Sequence, residues 1–198
     1  MMKPFKIHPP ESFRKLPWRN GLGSTVELLV EKSTQHEEFS WRLSIASVAT
    51  GGPFSDFSGY DRTLLLLEGA GITLNNPNGP CIILNSSLDC ANFKGEDLID
   101  ASLHDGPIKD FNVMTLRSIC TSSVTAITET SEPSLQINAD KLLVYSIKPI
   151  KIKIGLEGSI DLAANHLLQF DHSINGKMTL DNTQAIVVQI YYNHLSSL

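Results

Sequence analysis

Short runs rich in Val, Ile, Leu and Thr, each broken by a turn signal, leave this chain little room for a helical architecture. Thr25–Val30, Ser40–Val48, Thr63–Leu67, Ile72–Leu74, Cys81–Leu84, Phe111–Leu116, Val124–Thr128, Leu142–Ile147, Ile150–Ile154 and Ala185–Tyr192 all read as strands. Between them stand Gly51-Gly52-Pro53, the run from Asn75 to Pro80, Gly106-Pro107, Asn175-Gly176 and Asp181-Asn182, which favour turns over continued structure. Only Gln35–Phe39 and Ser131–Asp140 offer space for a helical turn or two. Strands of this length at near-regular spacing predict an all-β sandwich or barrel.

A weak internal repeat divides the chain. Leu64–Leu74 reads L-L-L-L-E-G-A-G-I-T-L and Leu142–Ile154 reads L-L-V-Y-S-I-K-P-I-K-I-K-I, in each case strand, tight connection, strand. A bend containing glycine follows both, at Gly95 and at Gly176. With 198 residues the chain is long enough for two similar halves sharing a core. The expectation is two fused antiparallel β-barrels or jelly rolls, residues 1–107 and 108–198, tightly packed because no flexible linker parts them.

The net charge of −5 argues against bulk attraction to nucleic acid or anionic lipid, so an anion site must be a local cluster of basic groups. All five arginines (Arg14, Arg19, Arg42, Arg62, Arg117) precede residue 118, while the C-terminal part uses lysine. Arginine's planar fork suits fixed, bidentate contacts to carboxylates, which directs attention to the first half. Cys81, Cys90 and Cys120 form no C-x-x-C and cannot all pair, predicting a reduced, cytoplasmic compartment. The opening M-M-K-P-F-K-I-H-P-P lacks the apolar stretch of a secretory signal, and apolar runs such as Leu64 to Leu67 are far too short to span a membrane.

W-R-N-G-L-G-S-T, Trp18 to Thr25, has the look of a phosphate loop but fails its tests. Val26 occupies the third glycine position of a dinucleotide fingerprint, β-forming sequence follows where a helix is needed, and Gly-Lys-Ser/Thr is absent. Pro17 also argues against a regular strand just before it. His8, His36, His104, His166, His172 and His194 form no H-x-H, so no metal or other cofactor is expected. No G-x-S-x-G or Cys-His arrangement signals a nucleophile.

Five blocks then occur in order: W-R-N-G-L-G-S-T (18–25), W-R-L-S-I-A (41–46), G-P-F-S-D-F-S-G-Y-D-R (52–62) with L-L-E-G-A-G-I-T-L (66–74), F-K-G-E (93–96) and D-G-P-I-K-D-F-N-V-M (105–114). This series resembles the HutD/Ves family of double-cupin (bicupin, RmlC-like) bacterial proteins, linked in part to histidine utilisation. The resemblance runs from about Trp18 to Met114. It implies an all-β double cupin and a cytoplasmic, metal-free ligand-binding role. The chain departs from the family at Leu22, where a third glycine is frequent, and at Leu116-Arg117, where two arginines are frequent; the latter speaks against an essential Arg117.

Within these blocks the residues leave structural and functional readings open. Gly21 and Gly23 either only bend the chain or also aim Asn20 and Thr25 into a cavity beside Trp18. Strand alternation puts Arg42 with Ser40, Ser44 and Ala46 opposite an apolar face, which by itself favours solvent; the resemblance instead places Arg42 and Ser44 in a barrel mouth. The aromatic loop carrying Phe54, Phe57 and Tyr60 either plugs a barrel end, with Asp61 and Arg62 paired, or forms a pocket rim in which Ser55, Tyr60, Asp61 and Arg62 meet a ligand. Asp110 and Asn112 either satisfy the Gly106-Pro107 turn or bond a ligand amide or amine.

The expected function is binding of a small anionic metabolite bearing a carboxylate, with urocanate and formylglutamate as candidates by family association. A cofactor-independent isomerase, lyase or hydrolase acting on a similar acid is the alternative, with Asp61, Tyr60 or Asp110 as acid and base. An interaction protein using the aromatic loop is a third reading, and a homodimer is compatible with each.

Overall fold

The computed structural model describes residues 5–18, 21, 23–32, 38–129, 134–155, 158–181 and 184–193. Among these residues there is no α-helix; the one helical element is a single 3-10 turn at Pro10–Ser12. No helix among the described residues is long and apolar enough to cross a membrane.

The chain divides into two compact units, Phe13–Cys120, and Met1–Ser12 together with Thr121–Leu198. In the first, a six-stranded antiparallel sheet runs in the order Arg14–Pro17, Gly23–Lys32, Phe39–Val48, Ile108–Leu116, Tyr60–Glu68, Cys90–Lys94. A four-stranded sheet completes it: Gly52–Pro53, Asp100–Leu103, Ile72–Asn75, Ile82–Leu84. Their shared core holds Ala46, Val48, Leu64, Leu66 and Ile108 from the larger sheet and Ile72, Leu74, Leu84 and Ala101 from the smaller. Burying each large aliphatic side chain there contributes about 1.5–3 kcal/mol.

The second unit repeats this plan. Its five-stranded sheet runs Phe5–His8, Leu167–Phe170, Lys141–Ser146, Ala185–Tyr192, Cys120–Ile127, and its four-stranded sheet Ser134–Ala139, Ile174–Leu180, Ile150–Ile154, Ile160–Leu162. Taken in chain order from Phe39–Val48 and from Cys120–Ile127, the eight strands of each unit occupy the same places in the same two sheets. The repeat seen in the sequence is the step from large sheet to small: Tyr60–Glu68 to Ile72–Asn75, and Lys141–Ser146 to Ile150–Ile154. This is the antiparallel double-cupin plan, realised as paired sheets.

Three local expectations change. A division at 107/108 would detach Ile108–Leu116 from the sheet in which it pairs with both Phe39–Val48 and Tyr60–Glu68. The division instead falls after Ser12 and after Cys120, because Phe5–His8 pairs with Leu167–Phe170. Residues 134–139 form a strand, not a helical turn; Ile137 and Ala139 are buried while Gln136 and Asn138 are exposed, the period of two that a strand requires. Pro17 ends a strand, Arg14–Pro17, which lies at the sheet edge where a missing N–H is tolerated. Gln35–Phe39 falls largely outside the described residues, and Phe39 opens a strand.

Candidate functional site

Three neighbouring strands of the first unit put a ladder of polar side chains on one sheet face. Arg42, Met114 and Arg62 form one cross-strand row, Ser44, Asn112 and Leu64 the next, and Ala46, Asp110 and Leu66 the third. Alternation keeps all nine on the same face, so residues distant in sequence converge on one space. That space is a cavity of about 620 Å³, whose walls include Trp18, Thr25, Arg42, Ser44, Phe54, Ser55, Phe57, Arg62, Asp110 and Asn112. Leu16, Pro17, Ala46, Val48, Pro53 and Ala101 supply further apolar wall. An apolar enclosure with a few directed polar groups is the usual form of a small-molecule site.

The opening loop builds one wall. Gly21 takes a φ of +72°, a conformation that other residues resist, and its N–H donates to the Trp18 carbonyl at 3.1 Å. The Trp18 N–H donates to the Gly23 carbonyl at 3.0 Å, and the indole Nε1 donates to Thr25 Oγ1 at 2.8 Å. Both glycines therefore serve to fold Trp18 back over the strand that carries Thr25. Asn20 lies outside the described residues.

The aromatic loop and the F-K-G-E block hold the arginines. The Arg42 guanidinium carbon lies 4.9 Å from the Phe39 ring centre and 5.3 Å from that of Phe57. That of Arg62 lies 5.1, 5.6 and 4.9 Å from Phe54, Phe57 and Phe93. Phe57 thus touches both cations, each contact being worth about 0.5–2 kcal/mol. Its position is set by Gly95: the Phe57 N–H donates to the Gly95 carbonyl at 2.9 Å, and a Cβ at Gly95 would strike the Phe57 backbone. The spacing of F-K-G-E therefore has a mechanical reason that the sequence did not disclose. Phe93 flanks Arg62, Gly95 admits the loop, and Glu96 pairs with Arg117.

Polar contacts leave the arginines incompletely satisfied. Arg62 Nη2 donates to Asn112 Oδ1 at 2.9 Å, and Asn112 Nδ2 donates to Asp110 Oδ1 at 2.5 Å. Among the described residues Arg42 Nη2 meets the Met114 sulfur, at 3.1 Å, a weak acceptor. The Nε atoms of both arginines are buried with no hydrogen-bond partner among the described residues. Burial pulls Arg62 down to about 10 against the support of Asp110, with Arg42 lowering it further, and burial lowers Arg42 as well. Burial pushes the Asp110 carboxyl up to about 7, opposed by the Asn112 hydrogen bond and by the Arg62 charge.

Two expected contributors lie off the cavity wall. Tyr60 shares the face but is buried beside Phe39, its hydroxyl donating to the Phe39 carbonyl at 2.8 Å. Asp61 points the other way and pairs with Arg117 at 2.8 Å, so Asp61 and Arg62 do not pair with each other. Leu16, Phe54 and Phe57 join the wall; the first was hidden because a lone leucine before Pro17 carries no pattern. Among the described residues no group of three His, Cys, Asp or Glu side chains is placed to hold a metal ion. In the second unit the register that aligns Leu64 with Leu142 puts Val187 where Asp110 stands and Gln189 where Asn112 stands. Val187 is fully buried in that unit's core and Gln189 Oε1 is taken by the Asn138 N–H, so the polar ladder is not repeated there.

The HutD family model matches residues 10–188, most of the chain and all of this site. The chain belongs to the HutD family. It is 39% identical over 115 residues to protein Ves of Escherichia fergusonii, covering 56% of the chain and 59% of that relative. To a 21.2 kDa uncharacterized protein in the hutC 3' region of Pseudomonas putida it is 33% identical over 116 residues, covering 57% and 59%. The alignments thus span about three fifths of these HutD-type relatives. The structure of HutD from Pseudomonas fluorescens SBW25, obtained in a formate condition, superposes with a TM-score of 0.81 at 26% identity, covering 96% of this chain and 99% of that one. Lactobacillus farciminis oxalate decarboxylase, 8% identical with a TM-score of 0.58 over 94% of this chain and 86% of its own, shares the cupin fold alone.

Proposed function

We propose that this HutD-family chain is a cytoplasmic binding protein for a small carboxylate-bearing metabolite, held in the first-unit cavity by Arg42 and Arg62. The observation that carries this reading is the pair of guanidiniums whose buried Nε atoms have no hydrogen-bond partner among the described residues while both line one cavity. Buried arginine is costly unless its donors are met, and a carboxylate is the group whose geometry matches the fork. The ring stacking of both arginines orients them without consuming those donors. Trp18, Phe54 and Phe57 then face the body of the ligand, and the Thr25 and Ser44 hydroxyls its remaining polar atoms.

Urocanate and formylglutamate enter as candidates through the histidine-utilisation association of the family. Titration calorimetry with both acids, with formate as the smallest carboxylate and with an uncharged amide as control, tests the reading. Binding by carboxylates only, weakened at least tenfold by Arg62→Ala and by Arg42→Ala, is the expected result. Binding by both variants as tight as by the wild type would show that the anion sits elsewhere. Asp110, a cavity carboxyl poised near neutrality, supports the second reading of a cofactor-independent isomerase, lyase or hydrolase. Mass analysis of the acid after prolonged incubation separates the two readings: an unchanged ligand supports the binder.

A further inference from the structure

The wall of the cavity contains a negative group as well as positive ones, and it is the group placed worst for an anion. Asp110 is 1% exposed, lies on the same sheet face as both arginines, and lines the same space. Its Oδ1 is tied to Asn112, whose other end is tied to Arg62, so an amide bridge joins the buried acid to the buried cation. The acid and the cation are thereby held no more than about 8 Å apart, the fully extended span of two hydrogen bonds and one amide group.

An incoming carboxylate on Arg62 changes the surroundings of Asp110 in two ways. It spends the positive charge that favours the ionised acid, and it adds a negative charge inside the same low-dielectric enclosure. Both effects act in one direction. We propose that the cavity takes up one proton from solvent as it takes up its anion, and that Asp110 is the group that receives it. This rests on the carboxylate-binding reading above and adds to it the rule by which the site is regulated: the anion and the proton bind together.

The groups around Asp110 allow this assignment. From Tyr60–Glu68 it faces the Arg62 charge, with Leu66 directly opposite, and from Phe39–Val48 it faces Ala46 and Ser44. Arg42, one row further along, acts on Arg62, and Glu27 on Gly23–Lys32 acts on Arg42. Lys109 and Glu68 are exposed and paired with each other at 2.8 Å. None of the described histidines lines the cavity. The free acid already sits near neutrality, so an upward push moves its titration across the physiological range.

The test is calorimetry of the full chain with formylglutamate, whose own carboxylates titrate well below pH 6. Binding is measured at pH 7.5 in HEPES and in Tris, whose heats of ionisation differ, and again at pH 5.5. The expected result is uptake of about half a proton or more per bound anion at pH 7.5, little at pH 5.5, and affinity that falls about fourfold or more between pH 7 and pH 8.5. Asp110→Asn should abolish both the uptake and the pH dependence and bind more tightly than the wild type at pH 8.5; Glu27→Gln should retain both. Should Asp110→Asn not fold, the two-buffer comparison on the wild type decides by itself. Arg62-dependent binding whose heat is the same in both buffers overturns this proposal and leaves the carboxylate reading standing. Uptake that persists in Asp110→Asn overturns the assignment to Asp110. Failure of any carboxylate to bind overturns both.

Discussion

The Trp18 ring packs onto Gly23 so closely that a Cβ at Gly23 would sit 2.8 Å from two of its carbons, and closer still to the Ser47 carbonyl. The first cavity wall therefore exists because residue 23 has no side chain. Gly23→Ala is expected to displace Trp18, break its bond to Thr25 and destabilise the chain by about 2–3 kcal/mol, the upper part of the range for overpacking. Gly21→Ala, strained by backbone angle but with open space around it, should cost about 1 kcal/mol. Denaturant unfolding gives both values. Equal effects of the two substitutions would refute the packing argument.

On the carboxylate-binding proposal, Arg62 serves binding at the expense of stability. A buried cation whose donors are incompletely met carries a desolvation cost that an apolar side chain of similar length does not. Arg62→Met should therefore lose carboxylate affinity at least tenfold while unfolding at the same or a higher denaturant concentration. A large loss of stability would mean that the guanidinium is a structural strut.

Phe57 touches both guanidiniums, so one truncation should disturb two anchors. Phe57→Ala is expected to weaken binding of the best carboxylate more than Phe54→Ala, because Phe57 stacks on both guanidiniums and Phe54 on that of Arg62. Isothermal titration of the two variants side by side checks the ranking.

The pH dependence of stability has a definite sign at Asp110. Its folded pKa lies above its unfolded value, so the folded state holds the proton more tightly, and its stabilising contribution is lost as pH rises from about 4 through about 7. Asp110→Asn should thus raise Tm relative to the wild type at pH 8, with the difference vanishing near pH 4. Thermal unfolding across that range tests it; an opposite trend would require an ionised acid that is stabilised in the fold.

Arg117 offers a contrast within one chain. It donates to the Tyr60 carbonyl and to Asp61, and it pairs with Glu96, with a third of its side chain exposed. Its hydrogen bonds to Glu96 and Asp61 hold it above the ordinary arginine range, but exposed pairs contribute under about 1 kcal/mol. Arg117→Ala should leave carboxylate affinity unchanged and shift stability by no more than that, as denaturation and calorimetry on one sample would show.

How much of this was legible in advance depends on the distance over which each feature is decided. The Trp18–Thr25 loop could be read as a bend with a wall because its glycines, indole and hydroxyl lie within eight residues. The role of Phe93 and Gly95 could not, since their partners, Arg62 and Phe57, lie more than thirty residues away. Tyr60 and Asp61 seemed equal partners of Arg62 in a short motif. In the strand, one goes under Phe39 and the other turns out to Arg117.

Sequence alone determined the all-β class, the duplication and the kind of chemistry on offer. Period-two alternation and turn residues are local, and five family blocks in fixed order specify a fold more tightly than any one motif. Tertiary structure decided that the Arg42 face of Phe39–Val48 lines a cavity. Alternation places Arg42, Ser44 and Ala46 together but is silent on whether solvent or a second sheet lies above them. It also decided the unit boundary, because Phe5–His8 pairs with Leu167–Phe170, a choice made by backbone hydrogen bonds between segments about 160 residues apart. And it alone joined Arg62, Asn112 and Asp110, from strands separated by some fifty residues, into one buried chain in which a basic and an acidic group line the same cavity.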